Sequence, residues 1–529
     1  MASSSTPLLT CLADYADYYG HHAPQKTAIV FGQERISYRA LNKQVEVCSC
    51  ALLASGVKKG DRVAMICTPR PEFWILFLAC NRIGAIWVGL NPKYQLDELL
   101  YLSADCQPCM LFTLVESEGR RFEYEIRALV SATASLGEVV SVGGDTPGVK
   151  SWQEFLAHGS EASDDEYIAT MRTVVRSEVA LIVYTSGTTG KPKGAMISHY
   201  GLCFGALMQM KHFKVDAPSL VINFPINHIA CIADNAATTL VHGGKIIFQE
   251  QFNPGAVLEA MEKERCTIWG GVPTMIQMVM DHPGFDKTDF SSVEIVIWGG
   301  AALPAALIEK LRHIVPRLMA VYGMTETSAN VTFTDDYADK TILAGTIGKP
   351  DRNCDCRIVG KDGKPVKEGG QGELQFNAEF LMKGYWERPQ ATLDTFTEEG
   401  WLKTGDVGMW MDDGNIKIVG RLTEMYKSGG YNIYPREIEM AIEEIPGVAM
   451  AAVIAIPDEI FQEVGCAYVQ LCPGQTISSG DLHRACNKKL ANYKVPKAFV
   501  VRKALPRLPV GKVDKQALKQ IHTDSLGES

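Results

Sequence analysis

The stretch 184–194, Tyr-Thr-Ser-Gly-Thr-Thr-Gly-Lys-Pro-Lys-Gly, brings together groups that grip an anion. Thr185, Ser186, Thr188 and Thr189 carry hydroxyls, and Lys191 and Lys193 carry ammonium charges suited to phosphate. Gly187, Gly190 and Gly194 let the backbone take φ > 0, so neighbouring N–H groups can converge on one oxyanion. The spacing is not that of the P-loop of NTPases, which needs Gly-x-x-x-x-Gly-Lys and then Ser or Thr. Here Pro192 follows Gly190-Lys191, and Thr185 stands where the first glycine belongs. The apolar run 179–183 reads as a short strand that feeds this loop.

Two further strand ends carry chemistry. Residues 295–301, Ile-Val-Ile-Trp-Gly-Gly-Ala, read as a strand entering a diglycine, where a flat ligand can lie against the backbone. In Val321-Tyr-Gly-Met-Thr-Glu-Thr327, Tyr322 offers an aromatic face, Thr325 a hydroxyl and Glu326 a hard oxygen ligand. His228 lies among apolar neighbours, a setting that by itself favours a satisfied core histidine, and Trp298 reads equally as core or as pocket wall.

The 184–194 stretch is similar to the signature of the adenylate-forming enzymes: acyl- and aryl-CoA synthetases, stand-alone adenylation domains and beetle luciferases. Tyr322-Gly-Met-Thr-Glu326 matches the second strong motif of that family, and the resemblance runs over nearly the whole chain. It implies that Thr185, Ser186, Gly187, Thr188, Thr189 and Lys193 bind ATP phosphates. Gly299, Gly300 and Ala301 would border adenine and the acyl group, with Tyr322 and Gly323 against the adenine. It makes Thr325 a donor to the adenylate phosphate and Glu326 the ligand of Mg²⁺. Asp406, in Trp401-Leu-Lys-Thr-Gly-Asp406, would hold the ribose hydroxyls, since two carboxylate oxygens suit a vicinal diol, with Arg421 on the ribose side. Lys512 resembles the catalytic lysine that bridges carboxylate and α-phosphate. Lys427, Gly429 and Gly430 match the segment that meets the thiol of CoA after the small domain turns. The acyl pocket would take in His228 as a gate, Trp298, Gly299, Met324 and Asn330. Thr423 departs from the family, which places Asp or Lys at that hinge position.

The elements that must position these groups follow from pattern. A chain of 529 residues suggests roughly three or four compact units. Strand and helix patterns alternate up to residue 310, which predicts α/β layers with largely parallel sheets. Residues 8–20 predict a helix closed by Gly20, residues 28–38 a hairpin about Gly32-Gln33, and 158–176 a polar loop between subdomains. Short strands with Gly turns over 345–420 predict a small β-barrel. The expected fold is α/β: a large N-terminal domain (1–420) of two sheet subdomains plus that barrel, then a mobile α/β cap (421–529) hinged about 421–424.

Composition narrows the class. With 46% apolar and 21% charged residues the chain can bury large cores. A net charge of −9, from 52 basic and 61 acidic residues, with no long basic block, argues against nucleic acid. The 15 cysteines are scattered, Cys106-x-x-Cys109 has no second pair, and reduced thiols are expected. No signal peptide is read at Met1-Ala-Ser-Ser-Ser-Thr-Pro7. The window Phe73–Leu90 is broken by Asn81-Arg82 and Gly84, so it reads as a buried helix and strand, with no integral membrane span. The expectation is a cytoplasmic acid–thiol ligase forming acyl-CoA from a medium-chain, aromatic or cyclic acid, ATP and CoA through acyl-AMP. Transfer to a carrier-protein thiol is the alternative. A luciferase-like oxidation and a non-catalytic nucleotide sensor are the remaining readings, and a homodimer stays open.

Overall fold

The computed structural model describes residues 6–185, 191–428, 431–508 and 513–527. Its first layer is a seven-stranded sheet in the order Lys193–Ser198, Val179–Thr185, Ile86–Leu90, Arg62–Ile66, Met110–Leu114, Glu138–Val142 and Lys150–Ser151. All pairs are parallel except the edge hairpin of Val179–Thr185 with Lys193–Ser198. Strands covered on both faces must be apolar throughout, which is why Ile86–Leu90 and Met110–Leu114 show no alternation and are buried at every position. The helix Pro71–Ile83 covers this sheet, with Pro71 in its first turn and Gly84 in the left-handed C-cap at φ 74°. The apolar window is therefore a core helix and the strand after it. No helix among the described residues is long and apolar enough to cross a membrane.

The second layer pairs two sheets edge to edge. Ser219–Ile222, Lys245–Phe248 and Thr27–Phe31 are parallel, closed by Glu34–Ser37. The Thr267 N–H donates to the Ser219 carbonyl at 2.8 Å, joining this sheet to Ile268–Gly271, Ile295–Trp298 and Arg317–Gly323. Because those last strands are parallel, their carboxyl ends open on one edge, the usual place for a ligand crevice in such sheets. Asp355–Val359, Gln371–Asn377, Leu402–Trp410 and Ile416–Arg421 form the expected small antiparallel unit, with no closing pair among the described strands. Ile416–Arg421 ends at Arg421, and the next strand, Tyr426–Ser428, belongs to the C-terminal sheet with Tyr431–Ile433, Gln462–Leu471, Val448–Asp458 and Ala498–Arg502.

Two local expectations change. The first helix is Leu12–His22 and runs through Gly20, whose missing side chain lets it lie against Asn42. The polar loop at 158–176 contains the helix Asp164–Met171, capped by Ser163 accepting from the Glu166 N–H at 3.1 Å. Only Tyr167 of that helix is buried, so an almost wholly solvated helix reads as loop composition.

Candidate active site

The described residues on either side of the 186–190 stretch, Val179–Thr185 and Lys193–Ser198, pair as an antiparallel hairpin. Thr185 pairs with Lys193 and Tyr184 with Gly194, while Ser186, Gly187, Thr188 and Thr189 lie outside the described residues. Gly194 is required by packing, since a Cβ there would sit 2.7 Å from Ile182. The hairpin base is pinned from both sides. Tyr184 donates to Asp105 Oδ2 at 2.7 Å, and Tyr101 donates to the Pro192 carbonyl at 2.9 Å with its ring beneath Lys191.

Across the hairpin lies the Gly384-Tyr-Trp segment. The Met196 N–H donates to the Gly384 carbonyl, and the Trp386 N–H donates to the Gly194 carbonyl. This addition places the Tyr385 ring 5.1 Å below the Lys193 ammonium and lets Tyr385 donate to Glu326 Oε1 at 2.7 Å. Burial and the adjacent Glu326 carboxyl hold the Tyr385 phenol protonated, so it stays a donor. Tyr385 carried no assigned role in the sequence. Its motif, Gly384-Tyr-Trp-Glu-Arg-Pro, was visible, but its partner lies 59 residues away.

Thr325–Thr327 is a single 3₁₀ turn that ends with Ser328 at φ 62°. Thr327 fixes it, accepting from the Met324 N–H at 2.9 Å and lying in donor reach of the Met324 and Ala329 carbonyls. Gly323 is there for strand packing, because a Cβ would meet the Ala329 carbonyl at 2.6 Å. Among the described residues no group of three or more His, Cys, Asp or Glu can hold a metal ion. Glu326 is thus a lone buried carboxylate with one oxygen braced by Tyr385. That donor set fits Mg²⁺, which takes one or two carboxylates and completes its shell with substrate phosphates and water.

A second cluster stands beside this turn. Tyr322 donates to Asp406 Oδ2 at 2.6 Å, and Arg421 Nε donates to Asp406 Oδ1 at 2.9 Å. The Asp406↔Arg421 register across paired strands brings the latter two together, and Gly405 at φ 71° turns the backbone into the site. Asp406 raises the affinity of Arg421 for its proton, while burial, then Asp406, pushes the Tyr322 phenol far up. A carboxylate offers about four lone-pair sites, so two stay free for a diol.

Trp269, Leu318 and Ala320 share the second core with Trp298, which is 1% exposed. The indole is thus held in this core, the face that the sequence left open between core and pocket wall. Along Ile295–Trp298 side chains alternate, so Ile295 and Ile297 face the first core, whereas Val296 and Trp298 turn to the opposite face. Gly299, Gly300 and Ala301 follow at the open edge, partly or fully exposed, with Gly300 at φ 81°.

His228 precedes an eight-residue π-helix, Ala230–Ala237, and its Nδ1 accepts from the Ala230 N–H at 3.1 Å. Asn330 donates to Gln209 Oε1 at 2.7 Å and is nearly buried. Met324 stays partly exposed beside it. Asp234, on the π-helix, was not singled out from sequence, although an acid inside Ile229-Ala-Cys-Ile-Ala-Asp-Asn-Ala-Ala237 is a buried-charge signal.

Lys427 is exposed on the C-terminal sheet, its N–H bonded to Glu463, and Gly429, Gly430 and Lys512 lie outside the described residues. At the hinge Thr423 is exposed. The charge there comes from Glu424, which accepts a hydrogen bond from Lys515, itself bound to Glu439 at 2.7 Å.

Comparisons with known proteins agree with this layout. The family model for the AMP-binding enzyme matches residues 18–386, and that for the AMP-binding enzyme C-terminal domain matches 437–512. The chain is 35% identical over 501 residues to a feruloyl-CoA synthase of an Amycolatopsis species, covering 94% of this chain and 96% of that one. It is 34% identical over 513 residues to an indoleacetate–CoA ligase of Aromatoleum aromaticum, covering 96% and 98%. The ATP-bound structure of MatB from Rhodopseudomonas palustris superposes with a TM-score of 0.85 at 28% identity, over 97% of this chain and 99% of that one. The chain belongs to the AMP-binding enzyme family, the adenylate-forming superfamily, in which these relatives are acid–CoA ligases.

Proposed function

We propose that this AMP-forming acid–CoA ligase joins a medium-chain, aromatic or cyclic carboxylic acid to CoA through an acyl-AMP. A carboxylate is a poor acylating agent because oxide would have to leave. Joined to AMP with loss of pyrophosphate, it becomes a mixed anhydride with a good leaving group. The carboxylate is its own nucleophile at neutral pH, so the protein supplies position and charge neutralisation in place of a base.

The observation that carries this reading is the Tyr322–Asp406–Arg421 cluster beside the Glu326–Tyr385–Lys193 group. Tyr322 and Gly299–Ala301 bound the adenine, and Asp406 with Arg421 takes the ribose. Residues 185–189 with Lys193 grip the phosphates, Thr325 donates to the α-phosphate, and Lys512 bridges the two reacting groups. Glu326 would hold Mg²⁺, which would supply positive charge against the leaving pyrophosphate. Lys427, Gly429 and Gly430 then admit the thiol after the small domain turns. His228, Gly299, Met324 and Asn330 border the acyl group. Relatives named for ferulate and indoleacetate support the aromatic or cyclic part of the proposal.

The test is acid-dependent exchange of labelled pyrophosphate into ATP, from acetate to aryl and bicyclic acids, followed by CoA. Exchange with an aryl or cyclic acid, then thioester and AMP, is the expected result. Exchange without thioester would reassign the acceptor to a carrier-protein thiol. Lys512→Ala should abolish exchange while sparing thioester formation from supplied acyl-AMP, and Lys427→Ala should do the reverse.

A further inference from the structure

The helix Leu96–Cys106 carries its acids at both ends. Asp97 and Glu98 lie in its first turn, where the helix dipole favours them, but Asp105 lies in its last turn, where the dipole opposes a carboxylate. The Asp105 side chain is 5% exposed, so it also bears the desolvation cost of a buried carboxylate. An acid kept at such a place answers to its partners and not to the helix.

Those partners come from segments that flank the proposed phosphate grip. Tyr184, next to Thr185 in the chain, donates to Asp105 Oδ2 at 2.7 Å. Arg388, a little beyond Tyr385, donates to Asp105 Oδ1. The Asp105 backbone carbonyl accepts from Trp386 Nε1 at 3.2 Å, and the Trp386 ring lies 5.3 Å from the Arg62 guanidinium. One turn earlier on the same helix face, about 6 Å along the axis, Tyr101 donates to the Pro192 carbonyl beside Lys193 at 2.9 Å. One helix end thus takes hold of the strand that enters the 185–193 stretch, the chain that leaves it and the segment that bears Tyr385. Burial, then Cys106 and Asp105, hold the Tyr184 phenol protonated, so it stays a donor. Bonds to a carboxylate, here one to each oxygen, are roughly twice as strong as neutral ones.

Resting on the proposed function, we propose that Asp105 is a positioning residue for adenylation: it locks the strand entering the 185–193 stretch to the segment that carries Tyr385, and so fixes Lys193 and Glu326 in register with the ends of that stretch. It acts through Tyr184 and Arg388, not on a reactant. The contacts are continuous, from Asp105 through Trp386 and Arg388 to Tyr385, which meets Glu326 at 2.7 Å and the Lys193 ammonium at 5.1 Å. A shift of about 1 Å in such groups costs on the order of 100-fold in rate. The groups it sets serve the leaving phosphates and their metal. The demand therefore arises with ATP and pyrophosphate and ends once acyl-AMP has formed.

The test compares both half-reactions and the binding of two nucleotides in Asp105→Ala and Tyr184→Phe. In Asp105→Ala, kcat/KM for ATP in pyrophosphate exchange should fall about 10- to 100-fold. Thioester formation from supplied acyl-AMP and CoA should stay within about twofold, a split that general loss of fold does not produce. Titrated directly, ATP with Mg²⁺ should bind about tenfold more weakly, and AMP as in the wild type. Tyr184→Phe removes one hydroxyl and keeps the ring, so it should reproduce part of the loss and add nothing in the Asp105→Ala background. If Asp105→Ala does not fold, Asp105→Asn, of equal size, should give a smaller loss confined to the same half-reaction. Equal losses in both half-reactions, unchanged ATP binding, or additive effects of the two substitutions overturn the proposal. Wild-type protein that neither binds ATP nor supports exchange refutes the functional reading, and this proposal with it. Where ATP binds but no tested acid supports exchange, the comparison of ATP with AMP binding decides the role of Asp105 by itself.

Discussion

Asp406→Asn separates the proposed nucleoside-holding role of this carboxylate from its structural one. The carboxylate accepts from Tyr322 at 2.6 Å and from Arg421 at 2.9 Å, one bond to each oxygen. An asparagine has a single acceptor oxygen. Arg421 Nε–H can only donate, so the amide oxygen should stay with Arg421 and the NH₂ group turn toward Tyr322. The Tyr322 proton then loses an ionised acceptor, which is worth about 1.5–3 kcal/mol when intact. Arg421 is 45% exposed, so its weakened pair adds only a few tenths to about 1 kcal/mol. The ribose loses at least one charge-assisted acceptor as well. The first two losses weaken the fold around the site, whereas the lost ribose acceptor costs about 1.5–3 kcal/mol of nucleotide binding, on the order of 10- to 150-fold in KM for ATP. The assay is exchange with ATP, 2′-deoxyATP and 3′-deoxyATP. The wild-type enzyme should penalise loss of a hydroxyl by about tenfold, and the variant by no more than about threefold. An unchanged KM for ATP, or a deoxy penalty as large in the variant as in the wild type, would refute the reasoning.

Tyr385→Phe removes the donor that braces Glu326. The Mg²⁺ concentration giving half-maximal exchange should rise on the order of tenfold, and an unaltered Mg²⁺ titration would detach Tyr385 from that role. Trp298→Ala should destabilise the large domain by about 3–5 kcal/mol in urea titrations, because a fully buried indole is lost. Its acid preference should not change, whereas a broadened acid range would return Trp298 to the pocket. Asp234 has a folded pKa of about 7, raised by burial, against about 3.9 unfolded. Between those values the native state holds the extra proton, so this residue's contribution to stability declines as pH rises from about 4 to about 7. Asp234→Asn removes that decline and should be more stable than wild type at pH 8, relative to pH 4, by up to about 4 kcal/mol. Parallel denaturation curves at the two pH values check it, and equal differences would mean that Asp234 ionises freely.

Contiguous chemistry was legible in the sequence. A loop that grips phosphate uses backbone N–H groups and hydroxyls from adjacent residues, so 184–194 and 322–326 carried their meaning without partners. The parallel layers were readable too, because strands such as Ile86–Leu90, apolar at every position, have no solvent face to mark with polar residues. The sites proposed for ribose, metal and acyl group are different, because each is made by residues distant in the chain. Tyr322 meets Asp406 84 residues on, and Tyr385 meets Glu326 only because its segment adds to the edge of Lys193–Ser198.

Parity and burial were likewise decided in three dimensions. Trp298 and Ile297 are neighbours in sequence with the same strand propensity, yet the pleat sends them to opposite cores, and no local pattern states which face meets the pocket. Asp234 stands out in sequence only as an acid in an apolar run, and it is the packing of the helix that leaves its Oδ1 without a donor. The sequence by itself determined the adenylating chemistry, because that chemistry resides in short, self-sufficient motifs. Only the tertiary structure decided which side chains brace those motifs and which are buried in the cores, because desolvation and the geometry of distant partners exist only once the layers are packed.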